Sequence, residues 1–388
     1  MVFLSFLVIL LFGAGLFWLV AYVLRHRMYK ASVALGIVGT VIALFLLGLW
    51  IVEISGWERE GLYKQLLYGL QKEELRSYVV SQEDLFETSI LMMSQASTAL
   101  VDAAPLLEGQ RATIAKELTW MAEYINNEEY FAVWKNRRNW EQELYFLTHA
   151  AIIIAHYQSF TGDEQYEERW TRIANFLVNG ISRSQYKHLA SRPGDAALRP
   201  SDNAAGLYAL KLYDEVHASE HLAIAGEDWS DYIRKELQYE DTKLPCAGFT
   251  ATNRCRLSPV GGSLAMLNSY AAAAELSISK DFWREFRYYY KETFANVFAW
   301  INLTASVAES PEFCDFSVAP VECGRFEEPF AQYAAAKRKD WITYYQLNNR
   351  LLMKDFFNPP NRLWSQPPQE QIRGVLYLAT RLAASSRP

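Results

Sequence analysis

Two long stretches without a single charged residue open this chain and constrain it more than any other feature. Val2 to Leu24 and Ala31 to Val52 contain no Asp, Glu, Lys or Arg. Each is about 20 residues, the helical length that crosses a hydrocarbon core of about 30 Å. Between them, Arg25-His26-Arg27-Met28-Tyr29-Lys30 carries three fixed positive charges, and short basic loops stay on the cytoplasmic side. The expectation is a two-helix transmembrane hairpin over residues 1–53, with the lipid bilayer as partner of residues 2–24 and 31–52. It predicts a multi-pass inner (plasma) membrane protein whose remainder, residues 54–388, faces the periplasm or extracytoplasmic space. A cleaved signal peptide is the alternative for the first run. The missing charged n-region and the second run that follows at once argue against it.

Residues 54–388 carry 35 basic and 43 acidic side chains, a net charge of −8. No Lys/Arg block is present, so nucleic acid is excluded as a partner: phosphate neutralisation needs clustered cations. All four cysteines, Cys246, Cys255, Cys314 and Cys323, lie in this part, each pair enclosing eight residues in a Pro/Gly/Ser-bearing stretch. In an oxidising compartment this pattern favours disulfides. Three connectivities exist for four cysteines, and two local loops are the simplest. Zinc is the rival, but the CxxC spacing that zinc usually takes is absent. The expectation is no metal and no cofactor.

Apolar residues recur at three- and four-residue spacing near 61–76, 83–104, 110–126, 140–160, 165–184, 202–219, 226–238, 262–278, 280–300, 325–337, 338–353 and 367–384. That pattern predicts about twelve helices. Ser81 with Asp84, Thr161-Gly162-Asp163 and Ser201-Asp202-Asn203 supply start and stop signals. Gly248 to Arg256 is the best candidate for extended chain, and no Gly-rich phosphate loop follows a strand. Twelve helices in consecutive hairpins predict an all-α fold, an (α/α)6 toroid with six inner and six outer helices. A repeat solenoid uses the same hairpins, but its internal similarity at a period of 33–47 residues is not found.

The helix Trp140 to Phe160 is the most informative. Glu141, Tyr145, His149, Ile153 and His156 follow one another at helical spacing, while Leu144, Phe146, Ala150, Ile152 and Ile154 cover the other faces. A buried helix with an ionisable stripe requires a polar cavity or partners on that side. His149 is the candidate proton carrier, since imidazole titrates near neutral pH; Glu141 and Tyr145 are candidate substrate contacts. The alternative is a core histidine bonded to a neighbouring acceptor. In Arg199-Pro200-Ser201-Asp202-Asn203 to Asp214, Ser201 or Asp202 is the natural N-cap. Asp202 is also the candidate carboxylate at a cavity mouth, where the helix N-terminus favours its ionised form. Asn203 and Tyr208 on the same helix are candidate substrate contacts. Asp315 and Glu328 join them because toroid loops gather at one mouth; a solvated acidic loop is the alternative.

The stretch His149-Ala-Ala-Ile-Ile-Ile-Ala-His-Tyr-Gln-Ser-Phe-Thr-Gly162 with Tyr166-Glu167, and the Asp202-Asn203 helix ending in Leu212-Tyr213-Asp214 with His217 beyond, resemble segments of the linalool dehydratase/isomerase family. Asp281 to Phe294 resembles a further helix, and in order and spacing the similarity runs from about Ala122 to Ala384. The resemblance implies an (α/α)6 toroid and cofactor-independent hydration, dehydration or isomerisation of an alcohol, and it hints at a homo-oligomer. It sets His149 on the family histidine and Asp202 where the family has a cysteine; its other cysteine falls near Pro193.

Three functions follow. The first is a lyase or isomerase in which His149 and Asp202 share protonation of a leaving hydroxyl and removal of the neighbouring proton. The second is an envelope glycan hydrolase or lyase pairing Asp202 with Glu141 or Glu328. The third is a non-catalytic envelope scaffold. The substrate is accordingly a small molecule or a glycan.

Overall fold

The helical periodicity of the sequence is realised over most of the chain. The structure is a computed structural model that describes residues 15–16, 18–23, 25, 29–81, 86–135, 137–192, 197–305, 313–315, 320–322 and 326–386. By their contacts these fall into two units, Met1–Gly61 and Leu62–Pro388.

In the first unit, α1 (Tyr29–Ser55) contains the second uncharged run. Among the described residues, however, no helix is long and apolar enough to cross a membrane. The expected transmembrane hairpin therefore has no support among the described residues, and the multi-pass inner-membrane localisation is contradicted. Freedom from charge over some 20 residues is necessary for crossing but not sufficient. Within α1, Thr40 Oγ1 donates back to Gly36 O at 2.9 Å. The first run lies largely outside the described residues.

The second unit takes in α2 (Trp57–Gln71) from Leu62 onward, then α3 (Glu73–Ser81), α4 (Phe86–Ala103), α5 (Arg111–Ile125), α6 (Leu144–Thr161), α7 (Glu167–Arg183) and α8 (Pro200–His217). It continues through α9 (His221–Glu236), α10 (Gly261–Ala273), α11 (Ser279–Tyr290), α12 (Glu327–Lys337), α13 (Trp341–Phe357) and α14 (Pro368–Ser385). The even-numbered helices from α4 to α14 each pack on the next, and α14 packs back on α4, which closes a cycle of six. The odd-numbered helices join them as outer neighbours: α5 packs on α6, α7 and α9 on α8 and on each other, α11 on α10, α13 on α12.

Sequence chemistry decides which helix goes where. In α10 every residue is buried, including Ser263, Asn268 and Ser269, and α6 is buried from Leu144 to Gln158. A helix covered on all sides needs small or apolar residues all round. Outer helices keep one apolar face: in α11 this is Phe282, Trp283, Phe286 and Tyr290. Inner neighbours run parallel. Tyr145, His149 and His156 of α6 bond respectively to Glu87 O, Ser94 Oγ and Ser97 Oγ of α4, so contacts advance together along both helices. Tyr208 and Lys211 of α8 likewise meet Tyr270 and Ala273 of α10. Gly206 sits where α6 and α8 approach closely; a Cβ there would lie 3.3 Å from Thr148 Oγ1.

Two windows differ from the periodicity. The window near 61–76 is two helices, broken at Lys72. The window at 280–300 stops as helix at Tyr290, and Lys291–Phe294 (β3) pairs antiparallel with Phe298–Ile301 (β4). Ala295 and Asn296 adopt left-handed backbone at the turn, which a helix cannot accommodate. Gly248–Phe249 (β1) and Cys255–Leu257 (β2) form the expected extended segment as a hairpin, closed by the Cys246–Cys255 disulfide with Cα atoms 5.8 Å apart. In the second cysteine stretch, Phe313–Asp315 (β5) pairs with Pro320–Glu322 (β6); Cys323 and the side chains of Cys314 and Asp315 lie outside the described residues.

Candidate functional site

The inner helices bring a polar cluster into the middle of the ring, and His149 is at its centre. Its side chain is 0% exposed. Nδ1 lies 3.0 Å from Ser94 Oγ, and Nε2 has no hydrogen-bond partner among the described residues. The Tyr145 ring meets the imidazole edge-on at 4.7 Å and the Tyr270 ring lies at 6.1 Å. Burial, and then the Arg192 guanidinium, push the His149 pKa down to about 3. The ring is therefore neutral at pH 7. With Nδ1 held by Ser94, Nε2 is free to give or accept one hydrogen bond.

Asp202 is 1% exposed in the first turn of α8. It is not the cap. Pro200 opens the helix and Arg199, in extended conformation, holds the N-cap position, because proline presets the first helical φ and holds the preceding residue extended. Asp202 is thus turned into the helix body, where Ser201 Oγ donates to Oδ1 at 3.4 Å. Its charge helps to raise the pKa of Tyr145 and Tyr270, the two rings that flank His149, after the larger effect of burial. Both phenols stay protonated. The Tyr145 hydroxyl donates to Glu87 O at 2.9 Å, and Arg192 lies over the Tyr145 ring at 5.1 Å. Arg192 Nη1 pairs with Glu87 at 2.9 Å, whereas Nε and Nη2 are buried with no hydrogen-bond partner among the described residues.

Deeper along the ring, Gln95 Nε2 donates to Tyr270 Oη at 2.6 Å, and Tyr208 stands 6.0 Å from Tyr270. His156 Nδ1 meets Ser97 Oγ at 3.0 Å, and burial followed by Lys337 lowers its pKa to about 3. An Asp102–Lys337 ion pair of 2.8 Å, with Lys337 5.2 Å from the centre of the Tyr333 ring, lies at the C-terminal ends of α4 and α12.

The structure brings His149, Tyr145, Asp202 and Tyr208 to this interior, whereas Glu141, Asn203 and Glu328 are engaged in other contacts. Glu141 precedes α6, in a 3-10 turn, and lines an outward-facing cleft of about 870 Å³ with Trp140, Arg172, Asn175, Phe176 and Asn179. The helical stripe projected through Glu141 fails because α6 begins only at Leu144. Asn203 fastens the preceding loop: Oδ1 accepts from Leu189 N at 2.9 Å, and Nδ2 donates to Leu189 O and Arg199 O. Glu328 is held between Arg350 at 2.6 Å and Lys354 at 2.5 Å. His217 pairs with Glu167 at 2.8 Å and stacks on Tyr213.

Sequence reasoning missed Ser94, Gln95, Arg192 and Tyr270. Ser89, Ser94, Ser97 and Thr98 in an otherwise apolar helix were a readable signal, the same polar-stripe pattern that singled out α6. Arg192, in a loop, carried none. Among the described residues, no group of three or more His, Cys, Asp or Glu side chains is positioned to hold a metal ion. No family model and no curated protein matches the chain.

Proposed function

We propose that residues 62–388 form an (α/α)6 toroid whose interior, around His149, carries out cofactor-independent acid/base chemistry on an alcohol, as a lyase or isomerase. The observation that carries this reading is the fully buried, neutral His149, with Nδ1 held by Ser94 and Nε2 bonded to no described residue. A buried polar atom ordinarily finds a partner, and a substrate hydroxyl fits Nε2. Asp202 shares Tyr145 and Tyr270 with the histidine as neighbours. In the reaction, one of the pair takes the proton from the carbon next to the carbinol. The proton it takes is then handed to the departing hydroxyl, leaving water and a double bond with both residues back in their starting states, and the reverse steps hydrate or isomerise it. The same burial that keeps His149 neutral makes it a weak base, so Asp202 serves to offset the charge as the proton arrives. Aromatic rings around the site stabilise developing positive charge. The resemblance of His149–Gly162 and Asp202–Asp214 to linalool dehydratase/isomerase segments supports the same chemistry.

The glycan-hydrolase reading needs two facing carboxylates. Its two candidate partners for Asp202 are engaged elsewhere, Glu141 in the outer cleft and Glu328 with Arg350 and Lys354. The lyase/isomerase reading is tested by His149→Ala and Asp202→Asn. Turnover of an alcohol substrate should be lost while helical content and melting remain near wild type. Unfolding of both variants would mark the residues as structural and defeat the assignment.

A further inference from the structure

The Arg192 guanidinium is only half used. Nη1 pairs with Glu87. The other edge, Nε with Nη2, is buried and meets no hydrogen-bond partner among the described residues. These two N–H groups are parallel donors on one side of a planar fork, the arrangement that takes a carboxylate through two hydrogen bonds. Leaving such donors buried and unbonded is costly, so this edge is built for an acceptor pair. It lies over Tyr145, whose other neighbour is His149, and His149 Nε2 is a further buried polar atom of the same interior with no hydrogen-bond partner among the described residues.

We propose that the Nε–Nη2 edge of Arg192 is an anchor for the carboxylate of the substrate, while His149 Nε2 takes its hydroxyl, which makes the substrate class a hydroxy acid. This rests on the lyase/isomerase reading and names its substrate class. Two further observations agree. Glu87 and Tyr145 both sit in the first turns of their helices and both meet Arg192, so the parallel N-termini of α4 and α6 gather beside it. Helix N-termini favour an anion there. In addition, the Arg192 charge is one of the two causes that depress His149; a carboxylate on the fork neutralises that charge and makes the histidine a better base once substrate is bound. Straight hydroxy acids, with one oxygen pair and one hydroxyl on a short apolar chain, meet the Arg192 edge and His149 Nε2 together without a cation or cofactor.

The test uses the full chain and a panel of straight-chain 3-hydroxy acids of about four to ten carbons, each matched with the 1,3-diol of the same length. Titration calorimetry should show at least one acid binding tenfold or more tighter than its diol. Arg192→Gln should erase that preference. Arg192→Lys keeps the charge beside Glu87 but lacks the fork, and should lose most of the preference while melting as the wild type does. The proposal is overturned if no acid outbinds its diol, or if Arg192→Lys, folded, keeps the full preference. The two readings fail separately. Arg192-dependent binding without His149-dependent turnover leaves the carboxylate anchor standing and removes the lyase. His149-dependent turnover of diols without acid preference does the opposite.

Discussion

Replacing His149 by Asn should flatten the acid limb of the stability profile by an amount the geometry fixes. His149 is fully buried and its pKa falls from 6.5 to about 3. Below 6.5 the unfolded chain takes up a proton at this position that the folded chain refuses, so stability is lost as pH falls from 6.5 toward 3. Between about pH 7.5 and pH 4.5 the loss is about 2.7 kcal/mol, from two units below 6.5 at about 1.4 kcal/mol each. This figure depends on the unfolded imidazole and hardly at all on how far below 4.5 the folded value lies. Asn retains a hydrogen-bonding group for Ser94 Oγ but does not titrate. Urea unfolding followed by circular dichroism at the two pH values gives the difference for each protein. Carboxylates contribute equally to both and cancel in the comparison, as do His156 and His188, which burial also depresses. The variant should lose about 2.7 kcal/mol less than wild type. An equal loss in the two proteins would refute a buried, neutral His149.

Further outcomes follow from single contacts. Burial raises the pKa of Glu143, the N-cap residue of α6, to about 7, so stability falls as pH rises from about 4.5 through 7; in Glu143→Gln, melting curves across that range should lose this downward slope. Serine at both Cys246 and Cys255 opens a loop with a sequence separation of 9 and should cost about 2–3 kcal/mol in urea unfolding, by the chain-entropy relation. Gly261→Ala places a Cβ about 2.1 Å from the backbone oxygen of Asn302; forcing the β4 end off α10 should cost about 1–3 kcal/mol, read as a lower melting temperature.

The sequence made the helices legible and much of the site illegible, for physical reasons. Periodicity marks a helix wherever one face is apolar, as in α11. It marks an inner helix equally well through polar residues that recur on the same spacing, which is how Tyr145, His149 and His156 stood out. It fails where the backbone must leave the helix without Gly or Pro, as at Ala295-Asn296, and where a helix starts later than its pattern, as at Leu144 after Glu141. Pro200 displaced the expected cap from Ser201–Asp202 to Arg199 and turned Asp202 inward, a shift readable from proline geometry alone. The absence of charge at the chain start says what a segment lacks, not whether it crosses a membrane. Arg192 was invisible because its meaning comes from Glu87 on α4 and from Tyr145 and His149 on α6, two segments distant from it in the sequence.

Deuterium exchange tests the central claim most directly. An acid/base lyase or isomerase removes and returns a proton at the carbon next to the carbinol, whereas a glycosidase or a scaffold does not. Wild-type protein incubated in D2O with the 3-hydroxy acids should introduce deuterium at that carbon, seen by proton NMR. His149→Asn should introduce none while remaining folded. No exchange into any acid that binds, or equal exchange by the variant, would contradict the account.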